Sequence, residues 1–181
     1  MAPELETNLV WMDLEMSGLD PKTCVILEIA TLITDKDLNL VAQGPSLAVR
    51  QSLSLLEGMD DWNRKHHKAS GLWDAVLASP TSLAEAEQQT LSFVSKHCRE
   101  KGSPLCGNTI YQDRRFLIEY MPKLEGYLHY RLVDVSTIKE LVKRWYGPEF
   151  QAPGKKQKHK ALDDILETVE ELKFYREKVF K

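Results

Sequence analysis

Nine consecutive residues, Val25–Ile33, form a nearly continuous apolar run broken by one charge, Glu28. The run is far short of the ~20 residues needed to span a bilayer. It is too continuous for a strand with one wet face, so it predicts a central strand over Val25–Thr34, covered on both sides. Such a strand needs sheet neighbours and helices to cover it, and the rest of the chain supplies both. Asn8–Met16 reads as a strand rich in β-formers, closed by Ser17-Gly18. Leu38–Val41 and Leu47–Gln51 flank Gly44-Pro45 and read as one more strand, or a hairpin partner, around a turn. Ser52–Ser79 is irregularly helical. Ser82-Leu-Ala-Glu85 is a capping-box sequence opening a helix to about Arg99. Pro104–Gly107 and Tyr130–Val135 are strand-like, Arg114–Tyr120 is a helix stopped near Pro122, and Thr137–Trp145 is helical. Gln151–Lys158 is a lysine-rich loop. Ala161–Val179 is an amphipathic helix with apolar residues at 162, 165, 166, 169 and 172. Strands come early and helices are interleaved later, which predicts an α/β fold: a mixed sheet flanked by helices. No repeat, linker or low-complexity stretch divides the 181 residues, so residues 1–181 are expected to form a single domain.

Composition removes several classes. The three cysteines, Cys24, Cys98 and Cys106, are odd in number and lack C-x-x-C spacing, which argues against a disulfide scaffold. The first eight residues are acidic without an apolar run, so neither a secretory nor a mitochondrial presequence is expected. A soluble, reducing, cytoplasmic setting and no membrane partner follow as expectations. The formal net charge of −3 is the awkward number, because nucleic-acid binders usually carry a positive field.

Four features carry chemistry. Asp13 and Glu15 lie two apart in the opening strand, so both carboxylates project from one face while Val10, Met12, Leu14 and Met16 pack on the other. Acids are depleted in strand interiors, and like charges this close call for protons or cations. Hard cations such as magnesium or manganese prefer such oxygen donors. Taken alone, the pair also fits a strand with one solvated face. Asp113 sits where a loop enters a helix, a place where an Asp is also an ordinary N-cap. Asp163 and Asp164 begin the last helix. With its core stripe through Leu162, Ile165, Val169 and Leu172, Asp164 falls about 110° from the stripe centre and Asp163 about 150°. Asp164 is the better ligand candidate. His159 precedes that helix, beside Asp164 or as a solvated loop histidine among lysines. Together the acids supply what a two-metal site needs, and the histidine supplies a base. Zinc is disfavoured, because His66 and His67 are adjacent and no cysteine pair has ligand spacing.

Three segments, Asp13-Leu-Glu15-Met-Ser-Gly-Leu-Asp20, Gly107-Asn-Thr-Ile-Tyr-Gln-Asp113-Arg-Arg-Phe-Leu and His159-Lys-Ala-Leu-Asp-Asp164, resemble the exonuclease motifs of the DEDDh superfamily. Within it the chain is similar to the oligoribonuclease family. His129-Tyr-Arg-Leu-Val-Asp-Val-Ser-Thr137 and the ending Glu-Leu-Lys-Phe-Tyr-Arg176 resemble segments of that family, and the likeness covers nearly the whole chain. It implies a ribonuclease H-like fold and a 3′→5′ exoribonuclease acting on short single-stranded RNA, dinucleotides included, with release of 5′-mononucleotides. It implies two divalent ions (Mg2+ or Mn2+) per site, held by Asp13, Glu15, Asp113 and Asp164, with His159 as general base. Tyr130 matches an active-site tyrosine that reaches across a homodimer. Leu19, Trp62, His67, Arg131 and Ser136 match substrate-binding positions.

Two alternatives differ in class. One is a sister exonuclease for DNA or longer RNA; the absence of a long basic stripe argues against it. The other is a catalytically dead nucleotide-binding module, against which all four acids and the histidine stand. The charge is also uneven. Residues 1–130 carry 12 basic and 18 acidic side chains, and residues 131–181 carry 12 and 9. A protein that gains little from neutralising phosphates suits a few nucleotides better than a long polymer.

Overall fold

In the computed structural model, which describes residues 7–154 and 161–180, the apolar run becomes strand β2, Ile26–Thr34. It pairs antiparallel with β1, Leu9–Met16, on one side and with β3, Leu40–Ala48, on the other. Strand β4, Pro104–Gly107, runs parallel to β1, and β5, His129–Asp134, runs parallel to β4. The five-stranded mixed sheet has the order β3-β2-β1-β4-β5. Helices α1 (Leu53–Glu57), α2 (Asp61–Ser70), α3 (Leu72–Ala78) and α4 (Leu83–His97) follow β3. Helices α5 (Tyr111–Tyr120) and α6 (Pro122–Tyr127) link β4 to β5, and α7 (Val135–Trp145) and α8 (Ala161–Lys178) close the chain.

The sheet is covered on both faces, as the composition of β2 requires. On one face Val10, Met12, Leu14, Ile29 and Ile33 pack with Val94 of α4 and Phe116 and Leu117 of α5. On the other, Trp11, Ala30 and Leu32 pack with Ile165, Val169, Leu172 and Tyr175 of α8. Each such large side chain contributes about 1.5–3 kcal/mol by burial. The Trp11 indole N–H is satisfied inside that layer by the Thr34 hydroxyl at 2.9 Å.

Several elements differ from the sequence reading. Gly44-Pro45 is not a turn but lies inside β3. Ala30 pairs with Ser46 and Leu32 with Gln43, so two residues oppose Thr31 in a bulge. Pro45 tolerates this because β3 is an edge strand and needs no outward N–H. A Cβ on Gly44 would lie 2.5 Å from a Phe93 ring carbon, so only glycine lets α4 approach there. Pro122 does not merely stop α5; it occupies the first turn of α6, where a missing N–H costs nothing. The capping box of α4 forms as read, with Ser82 and Glu85 satisfying each other's backbone amides. Among the described residues no helix is long and apolar enough to cross a membrane.

Candidate active site

The alternation of β1 turns Asp13 and Glu15 to the face covered by α8, beyond the buried Trp11. Asp164 enters from the first turn of α8. One carboxylate oxygen from each of Asp13, Glu15 and Asp164 lies within 4.8 Å of the other two. Asp163 is not in that group. The buried side of α8 runs through Ala161, Ile165, Thr168, Val169, Glu171, Leu172 and Tyr175. Thr168 and Glu171 swing this side toward Asp164, while Leu166, apolar but outside the stripe read from the sequence, is 38% exposed. The helix start is pinned from β4 as well. The Asn108 side-chain amide donates to the Thr168 hydroxyl at 2.8 Å, and that hydroxyl donates to the Asp164 carbonyl at 2.7 Å.

Asp113 lies in the first turn of α5 and is buried. It is not the N-cap that its position suggested, because that place belongs to Ile110. Asp113 Oδ1 accepts the Leu14 amide of β1 at 2.9 Å. The reason lies in the sheet. β4 pairs with β1 only at Val10 and Trp11, so the edge of β1 beyond them is open and Asp113 satisfies an N–H there. Gly107 lets the chain leave β4 that close to β1, since a Cβ would sit 3.0 Å from the Met12 carbonyl oxygen.

Burial, with Glu28, Asp164 and Asp113 around it, pushes the Glu15 carboxyl up to about 7. Burial pushes Asp113 up to about 7 too, against the lowering effect of the Leu14 hydrogen bond. A native carboxyl whose pKa is raised takes up protons on folding, so stability falls as pH climbs from the unfolded value to the folded one. For Glu15 that window runs from 4.5 to about 7. Metal-free Glu15→Gln should therefore be more stable than the parent at pH 8, by about 3 kcal/mol. The gap should narrow as pH falls through this window. Added Mn2+ should reverse the order, because the cation then neutralises Glu15 and finds no carboxylate in the variant. Thermal melts with chelator and with Mn2+ check all three statements.

Leu19 and Trp62, 72% and 68% exposed, stand free to meet a ligand. Trp62 is stacked on His66, with centroids 4.7 Å apart. His67 turns inward. Its Nε2 lies 3.0 Å from the Met16 carbonyl oxygen and its Nδ1 4.0 Å from a Glu15 oxygen, and burial lowers its pKa. The Ser136 hydroxyl sits 3.2 Å from that of Thr109 and 3.3 Å from the Asn108 carboxamide oxygen, beside the pinned start of α8. Tyr130 is 71% exposed on β5, with the Arg131 guanidinium 5.3 Å from its ring. Strand β4 separates both from β1. His159, with Lys155, Lys156, Lys158 and Lys160, lies outside the described residues.

Glu28, the acid inside the apolar run, is half-buried rather than buried. Strand register sets it directly opposite Glu15, and the Ser46 hydroxyl donates to it at 2.9 Å. An acid inside an otherwise apolar strand was the signal; its partner depended on pairing register, which one strand alone does not encode.

Residues 10–172 match the RNase_T family, described as exonuclease. A relative from Shewanella loihica named Oligoribonuclease is 57% identical over 177 residues, covering 97% of each chain. Exonuclease I from Methylocaldum szegediense superposes with a TM-score of 0.70 at 16% identity, over 96% of this chain and 41% of that one. The zinc ion bound form of an E. coli ExoI–ssDNA complex gives 0.70 at 11% identity, over 96% and 41%. This chain thus spans about two fifths of those exonuclease I chains, and the likeness to them is one of fold: the ribonuclease H-like sheet.

Proposed function

The chain belongs to the RNase_T exonuclease family, among its oligoribonuclease members, and on that footing we propose that it is a 3′→5′ exoribonuclease of short single-stranded RNA. Its substrates extend down to dinucleotides and its products are 5′-mononucleotides. Residues 1–181 act as one exonuclease domain, as a homodimer, in the cytoplasm. Free Cys24, Cys98 and Cys106 are consistent with a reducing compartment.

The observation that carries this reading is the group formed by Asp13, Glu15 and Asp164, whose oxygens crowd within 4.8 Å. The donors are all carboxylate oxygens, and burial, followed by its like-charged neighbours, opposes ionisation of Glu15. Both properties fit two hard divalent ions, Mg2+ or Mn2+. Asp113 completes the ligand set. Bound there, the ions would lower the pKa of a water and stabilise charge on the scissile phosphate and the departing 3′ oxygen. His159 takes the proton of the attacking water, a role an imidazole can fill near neutral pH. Trp62 and Leu19 grip bases by stacking and apolar contact, at about 1–3 kcal/mol per base and with little regard for sequence. Arg131 and Ser136 contact the substrate's polar groups, whereas His67, buried behind Glu15, acts from beneath the site rather than on the substrate. Tyr130 reaches the site of a second copy, a reading supported by its exposure on the outermost strand, two strands from Asp13.

His159→Ala is the test of the proton step. The expected result is a kcat reduced by about 10²–10⁴-fold with KM changed far less, as for a group acting only in the transition state. A change confined to KM would remove His159 from that role.

A further inference from the structure

The turn between β1 and β2 carries Leu19, and an exposed leucine meets a ligand usefully only if the turn beneath it is fixed. Its own backbone closes it in part. The Cys24 amide donates to the Asp20 carbonyl at 2.8 Å and the Ser17 amide to the Val25 carbonyl at 3.0 Å. Gly18 passes so close to Cys24 that a Cβ would lie 2.6 Å from its sulfur. The remaining grip comes from α5. Gln112 Nε2 donates to the Leu19 carbonyl at 2.5 Å, with Arg115 Nη1 more distant at 3.4 Å. The Tyr120 hydroxyl lies 2.9 Å from the Pro21 carbonyl oxygen and 2.8 Å from that of Cys24.

The Gln112 amide has only one useful orientation. Arg115 Nη1 donates to its Oε1 at 2.7 Å, so the carboxamide is forced to present its N–H side to Leu19. Gln112 is only 9% exposed, so water competes little for that bond. The next residue along, Asp113, takes the Leu14 amide of β1. Two neighbouring side chains of one helix therefore fix the strand of Asp13 and Glu15 and the turn of Leu19 in a common frame.

We propose that Gln112, oriented by Arg115, is a positioning residue that sets Leu19 at a fixed place relative to the carboxylate group, and so sets how a short substrate's bases register against its scissile phosphate. The proposal rests on the reading that Leu19 packs on substrate bases. Without the Gln112 donor the Leu19 carbonyl keeps only the longer Arg115 contact, and the leucine loses its fixed position while the carboxylates keep theirs.

The test is a double-substitution cycle on an RNA dinucleotide with Mn2+. Gln112→Met keeps length and packing but has no donor. It should raise KM about tenfold, the lower end of a lost base contact, with kcat within about twofold. Leu19→Ala should raise KM by a similar factor, and Gln112→Met added to it should change KM less than about twofold, as for two residues acting through one contact. If thermal melts find Gln112→Met unfolded, Gln112→Glu retains the Arg115 partner and presents an acceptor to the Leu19 carbonyl; it should give the same KM rise. An unchanged KM, or the same rise with and without Leu19, overturns the proposal. A Leu19→Ala variant with unchanged KM instead overturns the reading of Leu19, and the proposal with it.

Discussion

Asp13→Ala is expected to abolish turnover and leave the fold intact. Asp13 shares the group of converging oxygens with Glu15 and Asp164. Removing it takes away a donor from the ions that neutralise charge in the transition state, a contribution of several kcal/mol, so the rate should fall at least about a thousandfold. The fold should not suffer, because Asp13 is a half-buried acid beside other carboxylates and contributes nothing to the apolar core. Rate assays with Mn2+ and a thermal melt read both sides. A folded variant with parental rates would contradict the metal role of this cluster.

The second large effect separates neighbours. Asp164→Asn should lower kcat/KM about a hundredfold or more, because it removes a negative charge and an oxygen donor from the same group. Asp163→Asn should stay within about twofold of the parent, as expected of a residue outside that group. Equal losses would refute the assignment. The chemistry of the two positions is the same, so only the angle of the helix distinguishes them.

That angle was readable from the sequence because helical period is a local property. Asp13 and Glu15 were readable for the same reason, since a two-residue period puts them on one strand face whatever the sheet around them. The covered strand β2 followed from its apolar run. What escaped the sequence depends on partners distant along the chain. Asp113 fitted an N-cap by position, and only the short pairing of β4 with β1 shows why its carboxylate is turned across to Leu14. Gly44-Pro45 carries the composition of a turn, yet at a sheet edge facing Phe93 it makes a bulge. His66 and His67 are adjacent and chemically identical, but one stacks on Trp62 and the other is buried behind Glu15. Gln112 gave no signal, because its role lies in the carbonyl it holds 93 positions away.

The net charge of −3 also has a reading on this account. Four of the acids are assigned to ions, and the remaining charge gives little general attraction for a long phosphate chain. Metal and base contacts then carry recognition, and both are complete within a few nucleotides. The most direct test is to incubate the purified protein with Mn2+ and either a labelled RNA dinucleotide or a strand of about 20 nucleotides, a length at which phosphate neutralisation would favour the polymer. The expected result is release of 5′-mononucleotides, with kcat/KM higher on the dinucleotide. Faster cleavage of the long strand, or binding of the dinucleotide without mononucleotide release, would contradict the central claim.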